Sequence, residues 1–297
     1  MNPYDYSKPI NLWLTSDSTE YQDLVVKLRD TIEAELKVNH GLIRFNKPDH
    51  EKALTHILAD LYTTYKADPK RYLAFSRDKG WFSSTKVRTR YQPKRFALMP
   101  FVNVVIALEA LEYIQATKGF QDSRTGTSRL SRMIATGKLI KLCDSHGLNV
   151  GSFYQLPNKE SIILKSPKDD QGNKPLLDYK DTAATELMRE NLKLINENIG
   201  KYWVDLKITD QQFSDLHDKL VKHDDEDKSP INFCNTSIKR VFNNGVFTQG
   251  GRFYGGWWLS IPSEYRSRIR INGKKTLELD YSAMHFYMMY AEKGLTI

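Results

Sequence analysis

The sequence predicts an α+β fold: a mostly helical body containing a winged-helix-like unit, then a C-terminal strand that turns at a carboxylate into a helix. Three observations predict it. Apolar residues recur at three- and four-residue spacing through much of the chain, as on helix faces. Short alternating runs lie among them, bounded by Gly, Pro and Asn clusters. No apolar run approaches the ~20 residues that cross a bilayer, so no membrane partner is expected.

At 297 residues and 34.4 kDa the chain has room for more than one compact unit. Its segments are expected at 1–95 (helical, with a basic strand), 96–180 (helix–helix–hairpin), 181–227 (a helical linker region) and 228–297 (a basic C-terminal segment). The N-terminus, Met1-Asn-Pro-Tyr-Asp-Tyr6, lacks a basic and apolar export pattern. Cys143 and Cys234 are the only cysteines and make no disulfide framework or metal cluster. A cytoplasmic, reducing location is expected.

The net charge of +8 is unevenly spread. Lys228–Thr276 alone carries that whole excess, with Glu264 as its one acid, and a second basic island runs from Lys70 to Arg95 with only Asp78 opposing. Two such islands in a near-neutral remainder point to a polyanionic partner, nucleic acid first.

Residues 1–18 hold few core formers and are expected as an irregular lead-in. Glu20–Leu36 carries Leu24, Val25, Leu28, Ile32 and Leu36 at helical spacing, and His50–Tyr65 repeats the pattern after a Pro48-Asp49 start. His50 and His56 do not share a helix face, which excludes them as a metal pair. Lys86, Arg88 and Arg90 alternate with Val87, Thr89 and Tyr91; on a strand these cations share one face. With Trp81, Phe82 and Tyr91 nearby, they suit phosphate contact with base stacking, or equally a solvated strand face over core aromatics.

Phe101–Gln115 and Leu130–Cys143 both read as helices, the second flanked by Arg129 and containing Arg132. Ser161–Lys165 reads as a strand, Lys168–Lys174 as a polar turn, and Pro175–Tyr179 as its return. Helix, helix and hairpin outline a winged helix that would contact DNA through Arg129 and Arg132, or a packing domain of the same shape. Asp181–Ile199 is a helix capped by Asp181 or Thr182, and Gln211–Val221 is another. The run His223–Lys228 lacks liganding spacing and reads as a solvated linker.

In the last fifty residues Leu277 and Leu279 alternate with Glu278 and Asp280, the period of a half-buried strand. Ser282 stands where an N-cap would, and Met284, Met288 and Ala291 continue as a helix face. Asp280 is therefore expected at a strand end. Glu278 shares its face, either as a second metal ligand or as an exposed charge. Arg266, Arg268 and Arg270 lie just upstream for phosphate contact.

Gly251-Arg252, Ile261-Pro262 and Asp280-Tyr281-Ser282 occur here in the order seen in family A DNA polymerases, the DNA polymerase I class, and this part of the chain resembles their first palm motif. His285-Phe286 is similar to the version in single-subunit phage RNA polymerases. The resemblance implies Asp280 as the catalytic carboxylate and a ligand of Mg2+ or Mn2+, with the Tyr281 backbone carbonyl beside it. It places Gly251, Arg252, Ser282 and His285 near an incoming deoxynucleoside triphosphate and a DNA, or RNA, primer–template.

That family also needs a following Arg…Lys helix and a later carboxylate motif, whereas only Glu292–Ile297 follows the helix here. The expectation is an incomplete palm from a truncated or split polymerase of phage or mobile-element type. It would be inactive alone and would dock a separate palm polypeptide at Met284, Met288 and Met289. The alternative expectation is a non-enzymatic DNA-binding replication or regulatory factor built on the winged-helix-like unit.

Overall fold

A computed structural model describes residues 6–82, 90–91, 96–121, 124, 128–156, 159–170, 172–221, 230–279 and 282–295. Residues 6–18 are not an irregular lead-in: β1 (Ser7–Pro9) pairs in parallel with β3 (Tyr72–Phe75), and β2 (Leu14–Thr15) pairs with β8 (Tyr154–Gln155). Ile10, Leu12 and Leu14 are buried at every second position through the turn that joins the two strands, a pattern too short to stand out in the sequence.

Helices α1 (Thr19–Asn39) and α2 (Lys47–Ala67) form where their apolar stripes predict. The Ser18 hydroxyl accepts the Tyr21 N–H at the start of α1, and Asn46 accepts that of Asp49 at the start of α2. α2 is the central helix, its Leu54, Ile57, Leu58 and Tyr62 fully enclosed. It packs on α1, on α4 (Leu98–Ala110) and against a four-stranded sheet, order β1-β3-β7-β4, with β4 at Ile114–Thr117 and β7 at Ser131–Ala135. Between α2 and α4 lies one helical turn, α3 (Lys79–Phe82). One apolar core runs from Ile10 to Phe153 and takes in Cys234, so it draws on both sides of residue 95.

The helix expected over Leu130–Cys143 divides. Residues 131–135 form β7, and only Gly137–Ser145 forms a helix, α5. Ser131, Met133 and Ala135 are buried in alternation with Arg132 and Ile134, and Gly137 marks the change of period. Likewise α4 stops before Gln115: Glu112 takes a left-handed φ of 60° and Ile114 enters β4. A short hairpin, β5 (Phe120–Gln121) with β6 (Ser128–Arg129), joins β4 to β7. The helix–helix–hairpin outline is thus corrected to helix–strand–hairpin–strand–helix. Arg129 lies in β6 and Arg132 in β7, neither on a helix.

Two smaller layers follow. β9 (Ile162–Leu164) pairs in parallel with β11 (Lys239–Phe242), and β12 (Gly250–Tyr254) closes that sheet as its edge. The predicted return is present, with Leu177 N–H on Leu164 O at 2.9 Å. α6 (Ala183–Ile199), capped by Thr182, lays Leu192 and Met188 on this sheet. The other layer is the antiparallel sheet β10 (Val204–Leu206), β13 (Ile269–Ile271) and β14 (Lys274–Lys275). It shares a core with α7 (Asp210–Val221), Trp257 and Ile261, with a single turn, α8 (Ser263–Arg266), before β13. The chain is thus mixed α and β with several small sheets. No described helix is long and apolar enough to cross a membrane.

Candidate functional site

The C-terminal stretch is the first candidate. Asp280 and Tyr281 lie outside the described residues, as do Lys86 and Arg88 and the acidic run at 223–228. Residues 276–279 form no strand, and Leu277 and Leu279 are each 82% exposed, so the expected half-buried strand is corrected over these positions. No apolar layer faces them, and alternation alone does not hold a strand in place. Ser282 is not the N-cap. That position falls to Ala283, left-handed at φ 56° with no side-chain cap, ahead of α9 (Met284–Glu292). His285 is exposed on α9, which has no buried residue.

Upstream, the Gly-Arg pair sits on edge strand β12. Gly251 is buried at φ +77°, and a Cβ there would meet Phe242 Cε1 at 2.8 Å and Arg240 Nη2 at 2.9 Å. The glycine thus serves packing against Phe242, while Arg252 beside it faces solvent. Arg268 is exposed as well; Arg270 Nη1 donates to Ser267 O at 2.9 Å and Ile269 O at 2.8 Å, bracing its own turn. Arg266 and Glu278 pair with each other, Nη1 to Oε1 at 2.8 Å. Among the described residues no group of three or more His, Cys, Asp or Glu could hold a metal ion.

Arg90 and Tyr91 are helical rather than part of an alternating strand. The Arg90 guanidinium lies 3.8 Å over the Tyr179 ring. It reaches Asp178 at 2.8 Å, Asp181 at 3.0 Å and Glu160 at 3.3 Å, and Arg189 meets the same Glu160 and Asp181. Hydrogen bonds from Arg90 and then Arg189 hold the Asp181 carboxyl below its usual range. This arginine clamps the 160–181 hairpin to the body.

The clamp forms one wall of a cleft of about 1840 Å³ between the helical body and the C-terminal layers. Trp13, Trp81, Tyr91 and Tyr154 line it together with cations and carboxylates, the latter including Glu186, Glu190 and Glu197 of α6. At its other end three lysines from distant parts of the chain converge. Lys8 at β1 pairs with Asp60 of α2 at 2.6 Å; Lys159 precedes β9; Lys239 opens β11. Lys159 Nζ has a neutral partner, Gln155 Oε1, at 3.0 Å. Burial first, then the charges of Lys239 and Lys8, push the Lys159 amine down to about 8 against a pull from Asp60. Burial and Lys165 lower Lys239 also. Among the described residues no carboxylate or hydrogen-bond acceptor meets Lys239 Nζ. The three lysines share no local motif, so sequence patterns did not reveal them.

The depressed Lys159 has a stability consequence with a definite sign. Its folded pKa lies below the unfolded lysine value of about 10.4, so the charged form is disfavoured in the fold. The penalty is present in full below about pH 8 and fades as pH rises from there through about 10.4. Lys159→Met should therefore raise stability at pH 7 by about 1–2 kcal/mol and remove that part of the pH slope. Urea denaturation at pH 7 and at pH 9.5 checks both.

No protein-family model matches the chain, and neither does any curated protein or solved structure.

Proposed function

We propose that this chain is a nucleic-acid-binding segment of a template-directed, metal-dependent DNA polymerase of the family A type, as carried by phages and mobile elements. One observation carries the reading: Gly251-Arg252, Ile261-Pro262 and Asp280-Tyr281-Ser282 stand in that family's order inside the most basic part of the chain. Supporting it, Arg252 is presented on an exposed edge strand, and Ile261 is buried in the same small core as Trp257, which fixes the Ile-Pro turn. A helix follows the Asp-Tyr-Ser segment at once.

The reading assigns Mg2+ or Mn2+ to Asp280 and the Tyr281 carbonyl, where a divalent ion supplies Lewis-acid charge. The described donors alone do not fit such an ion, because Glu278 is engaged by Arg266. The assignment therefore rests on those two residues. Arg252 and Arg268 take the phosphates of the primer–template, and the exposed Met284, Met288 and Met289 of α9 offer a surface for the rest of a palm.

A fluorescently labelled primer–template titrated at several salt concentrations tests the binding half. Arg252→Ala with Arg268→Ala should weaken binding at least tenfold and reduce the slope of log affinity against log salt by about 2. Unchanged affinity and slope would overturn it. The second reading, a non-catalytic nucleic-acid-binding factor, draws support from the lysines at one end of the cleft. It parts from the first by needing neither divalent metal nor nucleotide.

A further inference from the structure

The lysine end of the cleft has charge that the protein does not balance. On the opposite wall Arg90 and Arg189 are spent on Glu160, Asp178 and Asp181. At the floor, Asp60 answers Lys8, while Lys159 has only an amide oxygen and Lys239 has no partner among the described residues. Ammonium groups withdrawn from water without a counter-ion are costly, and clustering them adds repulsion. A fold that keeps them along one open cleft gains from an anion that neutralises them. Compact ammonium donors of this kind suit phosphate oxygens.

We propose that Lys8, Lys159 and Lys239 form a phosphate-binding site on the cleft floor, taking the backbone of a single-stranded nucleic acid or the phosphates of a free nucleotide. Arg252 is not among the residues that line the cleft, and the site stands whether or not the polymerase reading holds. Trp13 and Trp81 line the same cleft, and aromatics with cations are the combination that stacks bases while gripping a strand.

The test is fluorescence anisotropy with labelled thymidylate oligonucleotides of several lengths, and with ATP and inorganic triphosphate as competitors. The full chain is compared with Lys159→Met/Lys239→Met and with a control, Lys118→Met/Lys168→Met, whose lysines are exposed elsewhere. The cleft double variant should bind at least tenfold more weakly, with the salt slope reduced by about 1.4. The control should match wild type. Affinity that grows with oligonucleotide length assigns a strand; affinity independent of length, with full displacement by ATP or triphosphate, assigns a nucleotide. Either supports the site. A cleft variant that is folded by circular dichroism and binds every probe like wild type overturns it. Each single variant tests the site again should the double variant fail to fold.

Discussion

Replacing Asp60 with Ala is expected to cost the fold about 4 kcal/mol. Its carboxylate is fully buried, 2.6 Å from Lys8 Nζ, 2.7 Å from the Asn11 N–H and 3.4 Å from Thr64 Oγ1. Truncation strands a half-buried ammonium and orphans a backbone donor just past β1, so the full desolvation penalty of both appears. Because Asp60 belongs to the central helix and Lys8 to a sheet edge, the loss loosens the seam between them. It also removes a carboxylate whose pull opposes the lysine cluster. Urea denaturation measures the cost. Pairing Asp60→Ala with Lys8→Met should recover a substantial part, because removing both charges leaves neither stranded. A loss below about 1 kcal/mol for the single variant would contradict this account.

The second large effect concerns Asp280. A metal-binding carboxylate is worth several kcal/mol of transition-state stabilisation, and each 1.36 kcal/mol is a factor of ten in rate. In the protein reconstituted with the later palm motifs, Asp280→Ala should therefore lower primer extension by about a thousandfold or more. Binding of primer–template should stay near wild type, because phosphate contact is assigned to Arg252 and Arg268 rather than to an anionic side chain. Loss of rate with retained binding separates a catalytic carboxylate from one that merely ends a turn.

The long helices were legible because each carries a continuous apolar stripe with its own cap: Leu24 to Leu36 behind Ser18, and Leu192 with its neighbours behind Thr182. Local rules decide such elements. Residues 131–135 were not legible, since Leu130, Met133 and Ile134 fit a helical spacing while Ser131, Met133 and Ala135 fit a strand. The sheet partners β3 and β4 decide between them, and neither is local to β7. β1 and β2 were missed for the same reason: runs of two or three residues gain their structure from distant strands. At 276–279 the alternation was real but met no apolar layer, and it produced no strand.

The candidate sites divide along the same line. Gly251-Arg252 and Asp280-Tyr281-Ser282 could be found because their meaning lies in adjacent residues. The lysine floor could not. Lys8 is placed by the parallel pairing of β1 with β3, and the pairing of β9 with β11, Arg240 opposite Ile162, brings the segment that holds Lys159 near the start of β11, where Lys239 lies. Parallel strands join residues far apart in the chain, so no window of sequence contains the cluster.

The central claim, that this chain carries the first palm motif of a metal-dependent polymerase, is tested most directly by Mg2+-dependent primer extension. The chain is reconstituted with a polypeptide supplying the family's later palm motifs and compared with its Asp280→Ala variant under matched primer–template occupancy. The account predicts extension that needs Mg2+ and deoxynucleoside triphosphates and is lost in the variant. Equal extension by both proteins, or no extension by either despite full occupancy and assembly, would contradict it.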